Sequence, residues 1–220
     1  KGLRTLLTIN YQLSTIELHF PNCKKGNPMS VDPWLERWLH LVAKYAQQAP
    51  ILELGCGPGD DTNTLAQAGH DVVALDLSPE FVAKVQQRVP GARVHHQDVR
   101  ESFPVAKNGT GVIVASLSLH YFEWSETVDL IERIRQTLKH PGLFLCRLNS
   151  TNDHNYGASG HPRISENYYL VDGDPKRFFD RDSVIKLFAS GWRVLSMEEQ
   201  ITHKYEHPKA LWEIVLESVA

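Results

Sequence analysis

A glycine-rich segment at residues 51–62 constrains the fold of this chain more than any other stretch. It begins with the apolar run Ile51–Leu54 and continues into three glycines spaced two apart, Gly55, Gly57 and Gly59. After the third glycine the pattern becomes helical. Glycine lets the backbone approach a ligand closely, and the start of a helix offers free N–H groups. This strand–turn–helix pattern therefore predicts a site for a nucleotide-like ligand.

The spacing of the glycines selects among such ligands. A dinucleotide-binding turn reads G-x-G-x-x-G and a phosphate-binding loop reads G-x-x-x-x-G-K-[ST], and this segment contains neither. The series Glu53-x-Gly55-x-Gly57-x-Gly59 instead resembles the first motif of the class I S-adenosylmethionine-dependent methyltransferases. The resemblance implies that the loop binds S-adenosylmethionine through Glu53, Gly55, Cys56, Gly57 and Gly59. A glycine-rich turn without a ligand is the alternative.

The totals of the chain fit an ordinary enzyme. At 220 residues it is long enough for one domain with a substantial core. A formal net charge of −3 gives no general basic field for nucleic acid, and three widely separated cysteines favour a reducing compartment. No apolar run reaches the roughly 18 residues of a membrane span. We expect a cytoplasmic enzyme with neither a membrane nor a nucleic-acid partner.

The sequence divides into three parts. Residues 1–28 are an extension or arm whose role stays open, as does the oligomeric state. Residues 29–220 are expected to form the S-adenosylmethionine-binding domain, and Asp32 to cap a helix that begins at Pro33. Within it, residues 149–177 are polar, turn-rich and aromatic, which predicts a lid-like insert over a substrate pocket.

The second predicted strand ends in an acid, Asp76, followed by Leu77. Asp76 follows Gly59 at close to the roughly 20-residue offset at which an acid meets ribose hydroxyls in βαβ nucleotide sites. The two oxygens of a carboxylate match two hydroxyl donors. The alternative is a helix cap, but Ser78 and the proline after it already supply one. We predict that Asp76 and Leu77 contact the cofactor.

The third predicted strand, residues 92–99, ends with Asp98 and Val99. The family resemblance implies that Asp98 accepts from the adenine amino group and that the Val99 N–H faces a ring nitrogen; an exposed acid at a strand end is the alternative. His95 and His96 would point to opposite faces of a regular strand, so they make a poor metal pair. We expect no metal site.

The fourth predicted strand, residues 111–116, is apolar as in the middle of a parallel sheet, and ligands gather at the carboxyl ends of such strands. Ser116 and Leu117 are therefore predicted to line the cofactor site. The run Ser118–Tyr121 follows, and it resembles the segment of small-molecule methyltransferases that contains a Leu-His pair. His120 could accept a proton from the acceptor, with Tyr121 as the second catalytic candidate. A structural histidine that gates the cofactor is the alternative.

The insert supplies candidate residues for the acceptor. We predict that Arg163, Tyr168, Lys176 and Arg177 bind a carboxylate or another anionic group, and that Tyr156 also contacts the acceptor. A solvated lid with ordinary surface charges is the alternative.

Strands and helices alternate along the chain, including a helix predicted from Glu126 to Lys139 and two terminal strands. This order predicts a doubly wound α/β fold. The resemblance implies a seven-stranded, mostly parallel sheet whose last strand is antiparallel. The predicted function is methyl transfer from S-adenosylmethionine to a small-molecule acceptor. Two alternatives stay open: a methyltransferase that acts on protein or RNA, and a nicotinamide-nucleotide-binding α/β protein.

Overall fold

A computed structural model of the protein describes residues 32–219, so the predicted extension at residues 1–28 lies outside the described residues. The described part contains ten strands in two sheets. In chain order they are β1 Ile51–Leu54, β2 Val72–Asp76, β3 Arg93–His96, β4 Thr110–Ser116, β5 Leu138–Asn149, β6 Arg163–Ser165, β7 Tyr168–Val171, β8 Asp174–Arg177, β9 Trp192–Thr202 and β10 Lys209–Ser218.

Five α-helices connect these strands within the described range. They are α1 Leu39–Ala46, α2 Asp60–Gln67, α3 Pro79–Arg88, α4 Trp124–Thr137 and α5 Arg181–Leu187. Two of them begin at side-chain caps, of which the first, Ser78, is predicted from the sequence. The Ser78 hydroxyl accepts a hydrogen bond from the Phe81 N–H, and the Asp180 carboxylate accepts one from the Ser183 N–H.

The larger sheet has seven strands in the order β3-β2-β1-β4-β5-β10-β9. Strands β1 to β5 pair in parallel, whereas β10 lies between β5 and β9 and is antiparallel to both. This arrangement confirms the predicted seven-stranded, mostly parallel sheet with an antiparallel last strand. The order reverses between β1 and β4, which is the point where doubly wound sheets bind their ligands.

Helices cover both faces of this sheet because neighbouring strand residues point to opposite sides. Ile113 of β4 packs in a cluster that includes Leu130 of α4 and Val184 of α5. The preceding residue, Val112, packs in a second cluster with side chains of α1, α2 and α3. The strands are therefore buried from both sides, as their apolar sequences predict.

Two local predictions were wrong. Asp32 does not cap a helix: its carboxylate lies 2.5 Å from the Arg147 guanidinium, and the first helical turn begins at Glu36. The buried cation of Arg147 requires a counter-charge, which Asp32 supplies. The predicted helix to Lys139 ends instead at Thr137, since Pro141 lacks an N–H and disfavours helical backbone before it.

The segment after β5 folds into a small sheet of its own. Strands β6, β7 and β8 form a three-stranded antiparallel sheet that the sequence analysis did not predict. The Arg177 N–H of β8 donates to the His120 carbonyl in the loop after β4 at 2.7 Å. The Phe179 N–H, two residues after β8, donates to the Asn149 carbonyl at the end of β5 at 2.8 Å. The small sheet therefore stands beside the carboxyl ends of β4 and β5.

Candidate active site

A cavity of about 430 Å³ lies at the carboxyl ends of β1, β2 and β4. Such a volume is typical of small-molecule and cofactor sites. More than half of its lining residues were predicted from the sequence. They are Gly55, Gly57, Asp76, Leu77, Asp98, Val99, Ser116, Leu117, Tyr121 and Lys176.

The glycine turn leaves its backbone open towards this cavity. Gly57 has a φ of +51°, in the left-handed region, and a Cβ built there would meet no atom within 4 Å. Gly55 differs, since a Cβ there would lie 2.4 Å from the Cβ of Ser118. Glycine is thus required at Gly55 by close packing, whereas the space beside the α-carbon of Gly57 is open.

Asp76 connects the turn to the end of β2. Its carboxylate accepts hydrogen bonds from the Gly57 N–H at 2.7 Å and from the Ser78 N–H at 2.8 Å. Burial raises the pKa of Asp76, and the hydrogen bonds from Ser78 and Gly57 oppose that rise. Because a carboxylate offers about four lone-pair positions, two remain for hydroxyl groups of a ligand in the cavity.

Asp98 lines the cavity but already has a strong partner. Its two oxygens accept from the Arg100 side chain, at 3.0 Å from Nε and 2.5 Å from the terminal nitrogen. Burial raises the pKa of Asp98, but the hydrogen bonds and charge of Arg100 outweigh it and the net shift is downward. Asp98 is therefore ionised, and Arg100, which the sequence analysis did not select, belongs to the same wall.

Three predicted cofactor residues lie behind the turn and do not line the cavity. Glu53 is buried and accepts a hydrogen bond from the Thr62 hydroxyl at 2.6 Å, and burial raises its pKa well above the ordinary value. Burial likewise raises the pKa of the Cys56 thiol. A Cβ on Gly59 would lie 2.7 Å from Val85 of α3. Glu53, Cys56 and Gly59 therefore pack on the side of the turn that faces the protein interior.

His120 is also buried, at 5% exposure, and does not line the cavity. Its ring lies against Tyr121 with centroids 4.2 Å apart, and its Nδ1 has no hydrogen-bond partner among residues 32–219. Burial lowers the pKa of His120 well below the ordinary value, and the charges of Lys209 and Lys176 lower it further. The imidazole is therefore neutral near pH 7.

Of the five predicted acceptor residues, four lie elsewhere in the insert. The Tyr168 hydroxyl donates to the Tyr121 carbonyl at 2.9 Å, and the Arg177 Nε donates to the Phe122 carbonyl at 3.1 Å. Tyr156 bonds the backbone of the loop after β9, and Arg163 is exposed. None of the four lines the cavity. They anchor the small sheet to its surroundings.

The insert contributes other side chains to the cavity, namely Asp174 and Lys176 of β8, and Tyr205 joins them from the loop after β9. Lys176 was one of the cations that the sequence analysis proposed for an anionic group, and the other two were missed. Since alternate strand residues share a face, Asp174 and Lys176 point one way and Arg177 the other. This alternation could have indicated that Asp174 and Lys176 share a face, but only if residues 174–177 had been recognised as a strand.

Between residues 32 and 219 no group of three or more His, Cys, Asp and Glu side chains could hold a metal ion. Within the same range no helix has the length and apolarity needed to cross a membrane.

Known proteins with similar sequences include methyltransferases. Residues 51–142 match the methyltransferase domain family, which confirms the resemblance predicted from the glycine series. An uncharacterized methyltransferase of Synechocystis sp. is 32% identical over 94 residues, covering 43% of this chain and 44% of that protein. A trans-aconitate 2-methyltransferase of Delftia acidovorans is 32% identical over 106 residues, covering 47% and 39%. The chain thus spans less than half of the length of these curated relatives.

Solved structures share the fold over most of the chain. A SAM-dependent methyltransferase from Methanosarcina mazei superposes with a TM-score of 0.69 at 16% sequence identity. The match covers 81% of this chain and 97% of that one. The described architecture is therefore the Rossmann-like fold of these enzymes.

Proposed function

We propose that this chain, whose residues 51–142 carry a class I methyltransferase domain, transfers a methyl group from S-adenosylmethionine to a small-molecule acceptor. The observation that carries the proposal is the single cavity shared by two sets of residues. Gly57 and Asp76 lie in its wall on the side of the glycine turn, and Lys176 and Tyr205 come from the insert and the loop after β9. The relative from Delftia acidovorans is named a trans-aconitate 2-methyltransferase, and this name, which refers to a small-molecule acceptor, also supports the proposal.

The residues of the first set fit S-adenosylmethionine. The open backbone at Gly57 would receive the methionine part, and the free lone pairs of Asp76 would accept from the ribose hydroxyls. Asp98 and Val99 would contact the adenine, as the family resemblance implies. When bound, S-adenosylmethionine supplies a methyl group activated by a sulfonium.

The chain's own contribution is then positioning and exclusion of water. Leu117, Tyr121 and Phe122 line the cavity beside the carboxyl end of β4. Burial raises the pKa of Tyr121 to about 12, so its hydroxyl stays a neutral donor. His120 lies behind this wall, and its role as a proton acceptor stays a prediction. We propose that the acceptor enters already nucleophilic.

Calorimetric titration with S-adenosylmethionine, S-adenosylhomocysteine and NAD tests the cofactor half of the proposal. We expect saturable binding of the first two and none of NAD. Asp76→Asn should weaken binding about 10- to 100-fold, because one acceptor oxygen is replaced by a donor group. Asp71→Asn is the matched control, since Asp71 is an exposed acid at the other end of the same strand. Equal affinity of the two variants would contradict the assignment.

A screen with radiolabelled methyl donor tests the acceptor half. We expect label in small metabolites rather than in protein or RNA, since the insert covers the cavity and the net charge is −3. Label retained mainly in macromolecules would favour the alternative function. We also propose a cytoplasmic location, supported by the free thiols of Cys56 and Cys146.

A further inference from the structure

Three polar groups of the cavity wall have no partner within the described range. The hydroxyls of Tyr121 and Tyr205 and the ammonium of Lys176 line the cavity, and none makes a hydrogen bond or ion pair with another residue between 32 and 219. All three side chains are half-buried. Half-buried polar groups are hydrated when no ligand is bound, so a bound molecule can hydrogen-bond to these three in place of water.

The charges around them favour one negative group. Of the two cations in the cavity wall, Arg100 is paired with Asp98, which leaves Lys176 uncommitted among the described residues. Lys209 lies nearby, but Asp153 neutralises it at 2.6 Å. With one such cation, Lys176, in the described part of the wall, the charges match an acceptor with one carboxylate rather than several.

The imidazole of His120 is buried behind Tyr121, and the tyrosine hydroxyls are protonated at neutral pH. Asp98 is bound by Arg100, and Asp76 accepts from two backbone N–H groups and, in the proposed function, from the ribose hydroxyls. These five groups are therefore unsuited to take a proton from the acceptor. This arrangement suits an acceptor that is nucleophilic without losing a proton. A carboxylate is such a group, since it is ionised near pH 7.

On the premise of the proposed function, we propose that the acceptor is a small monocarboxylic acid that is methylated on its carboxylate. Lys176 holds one carboxylate oxygen, and the hydroxyls of Tyr121 and Tyr205 orient the group by hydrogen bonds. The other oxygen donates a lone pair to the methyl carbon of S-adenosylmethionine. The carbon–sulfur bond breaks and its electron pair stays on sulfur. The products are a methyl ester and S-adenosylhomocysteine, and no proton is transferred.

Calorimetry on the complex with S-adenosylhomocysteine tests this inference without turnover. The probes are benzoate, cinnamate and hexanoate, the primary amides of the same three acids, and trans-aconitate as a polyacid. We expect at least one monocarboxylate to bind saturably, and to bind more tightly than its amide and than trans-aconitate. Lys176→Met should weaken that binding about 10- to 100-fold, and Lys176→Arg should restore most of it. Lys107→Met, which makes the same change at an exposed lysine before β4, should have no effect.

The outcomes separate this inference from the proposed function. Failure of the wild-type protein to bind S-adenosylhomocysteine would overturn both. If the nucleoside binds but no monocarboxylate does, only the acceptor class is wrong. The same holds if amides bind equally well or if Lys176→Met leaves the affinity unchanged. Mass spectrometry of the product, with alkaline hydrolysis back to the acid, identifies an ester and excludes N-methylation.

Discussion

Gly57 is the residue at which the backbone of the turn is open to the cavity. A methyl group at this position would meet no protein atom within 4 Å, so it would occupy the space that we assign to the cofactor. We expect Gly57→Ala to reduce S-adenosylhomocysteine affinity at least 10-fold in calorimetry while the protein stays folded. The left-handed backbone should cost about 1 to 2 kcal/mol of stability.

Gly69 offers a matched control for this substitution. It also has a positive φ, of +87°, and a Cβ there would likewise meet nothing within 4 Å, but it lies after α2 and away from the cavity. Gly69→Ala should therefore lose similar stability in thermal denaturation and keep its affinity. A loss of affinity common to both variants would show that backbone strain, not obstruction, is responsible.

His120 should make the stability of the protein depend on pH. Its folded-state pKa lies well below 6.5 because of burial, whereas the unfolded chain protonates it near 6.5. The unfolded state thus binds more protons as the pH falls, so stability should decrease below about pH 6.5, by up to about 1.4 kcal/mol per pH unit from this residue. His120→Gln should flatten that slope in urea denaturation measured between pH 5 and pH 7.

Other groups titrate over the same range, so the comparison rests on the difference between variants. Glu53 acts with the opposite sign, since its raised pKa makes the folded state the better proton binder, but it is present in both proteins. Identical slopes for the wild type and His120→Gln would mean that the ring protonates freely in the folded protein.

At the residue scale, Gly55, Gly57 and Asp76 line the cavity, as expected for residues at the carboxyl ends of parallel strands. Asp98 and Val99 also line it, but they were selected through the family resemblance and not through spacing. Lys176 was selected only as one cation among several, and Tyr205 was not selected at all. Their approach to the cavity depends on long-range packing of the insert and the loop after β9, which local patterns do not encode.

At the element scale, the insert is fixed to the larger sheet by a buried ion pair. Asp153 follows β5, is fully buried, and lies 2.6 Å from the ammonium of Lys209 at the start of β10. Asp153→Asn would leave that ammonium buried without a counter-charge, which typically costs about 3 to 5 kcal/mol. We expect a loss of this size in the free energy of unfolding from urea denaturation.

An exposed ion pair provides the comparison for Asp153→Asn. Asp71 and Arg93 lie 2.6 Å apart with more than half of each side chain exposed. Asp71→Asn should change the free energy of unfolding by less than about 1 kcal/mol. If Asp153→Asn were equally mild, the insert would not depend on this contact for its position.

The elements of the larger sheet could be predicted and those of the insert could not. Apolar strands such as β4 and amphipathic helices such as α4 show periodicities that local sequence reveals. Strands β6, β7 and β8 have only three or four residues each, and β6 and β8 carry the charged residues Arg163, Asp174, Lys176 and Arg177. Such short polar strands form because their neighbours pair with them, so a polar loop was the reasonable prediction.

At the scale of the whole molecule, one cavity combines segments that are far apart in sequence. Its wall includes the turn after β1, the end of β2, strand β8 and the loop after β9. A ligand that binds the folded state stabilises the segments it brings together.

Hydrogen exchange measured by mass spectrometry should therefore slow at residues 55–59, 76–78, 174–176 and 203–207 when S-adenosylhomocysteine is added. The edge strand β9 should be unaffected along residues 192–201, because it does not line the cavity. Protection confined to the glycine turn would mean that the insert does not close over the cofactor, and the acceptor would then have to bind without Lys176 and Tyr205.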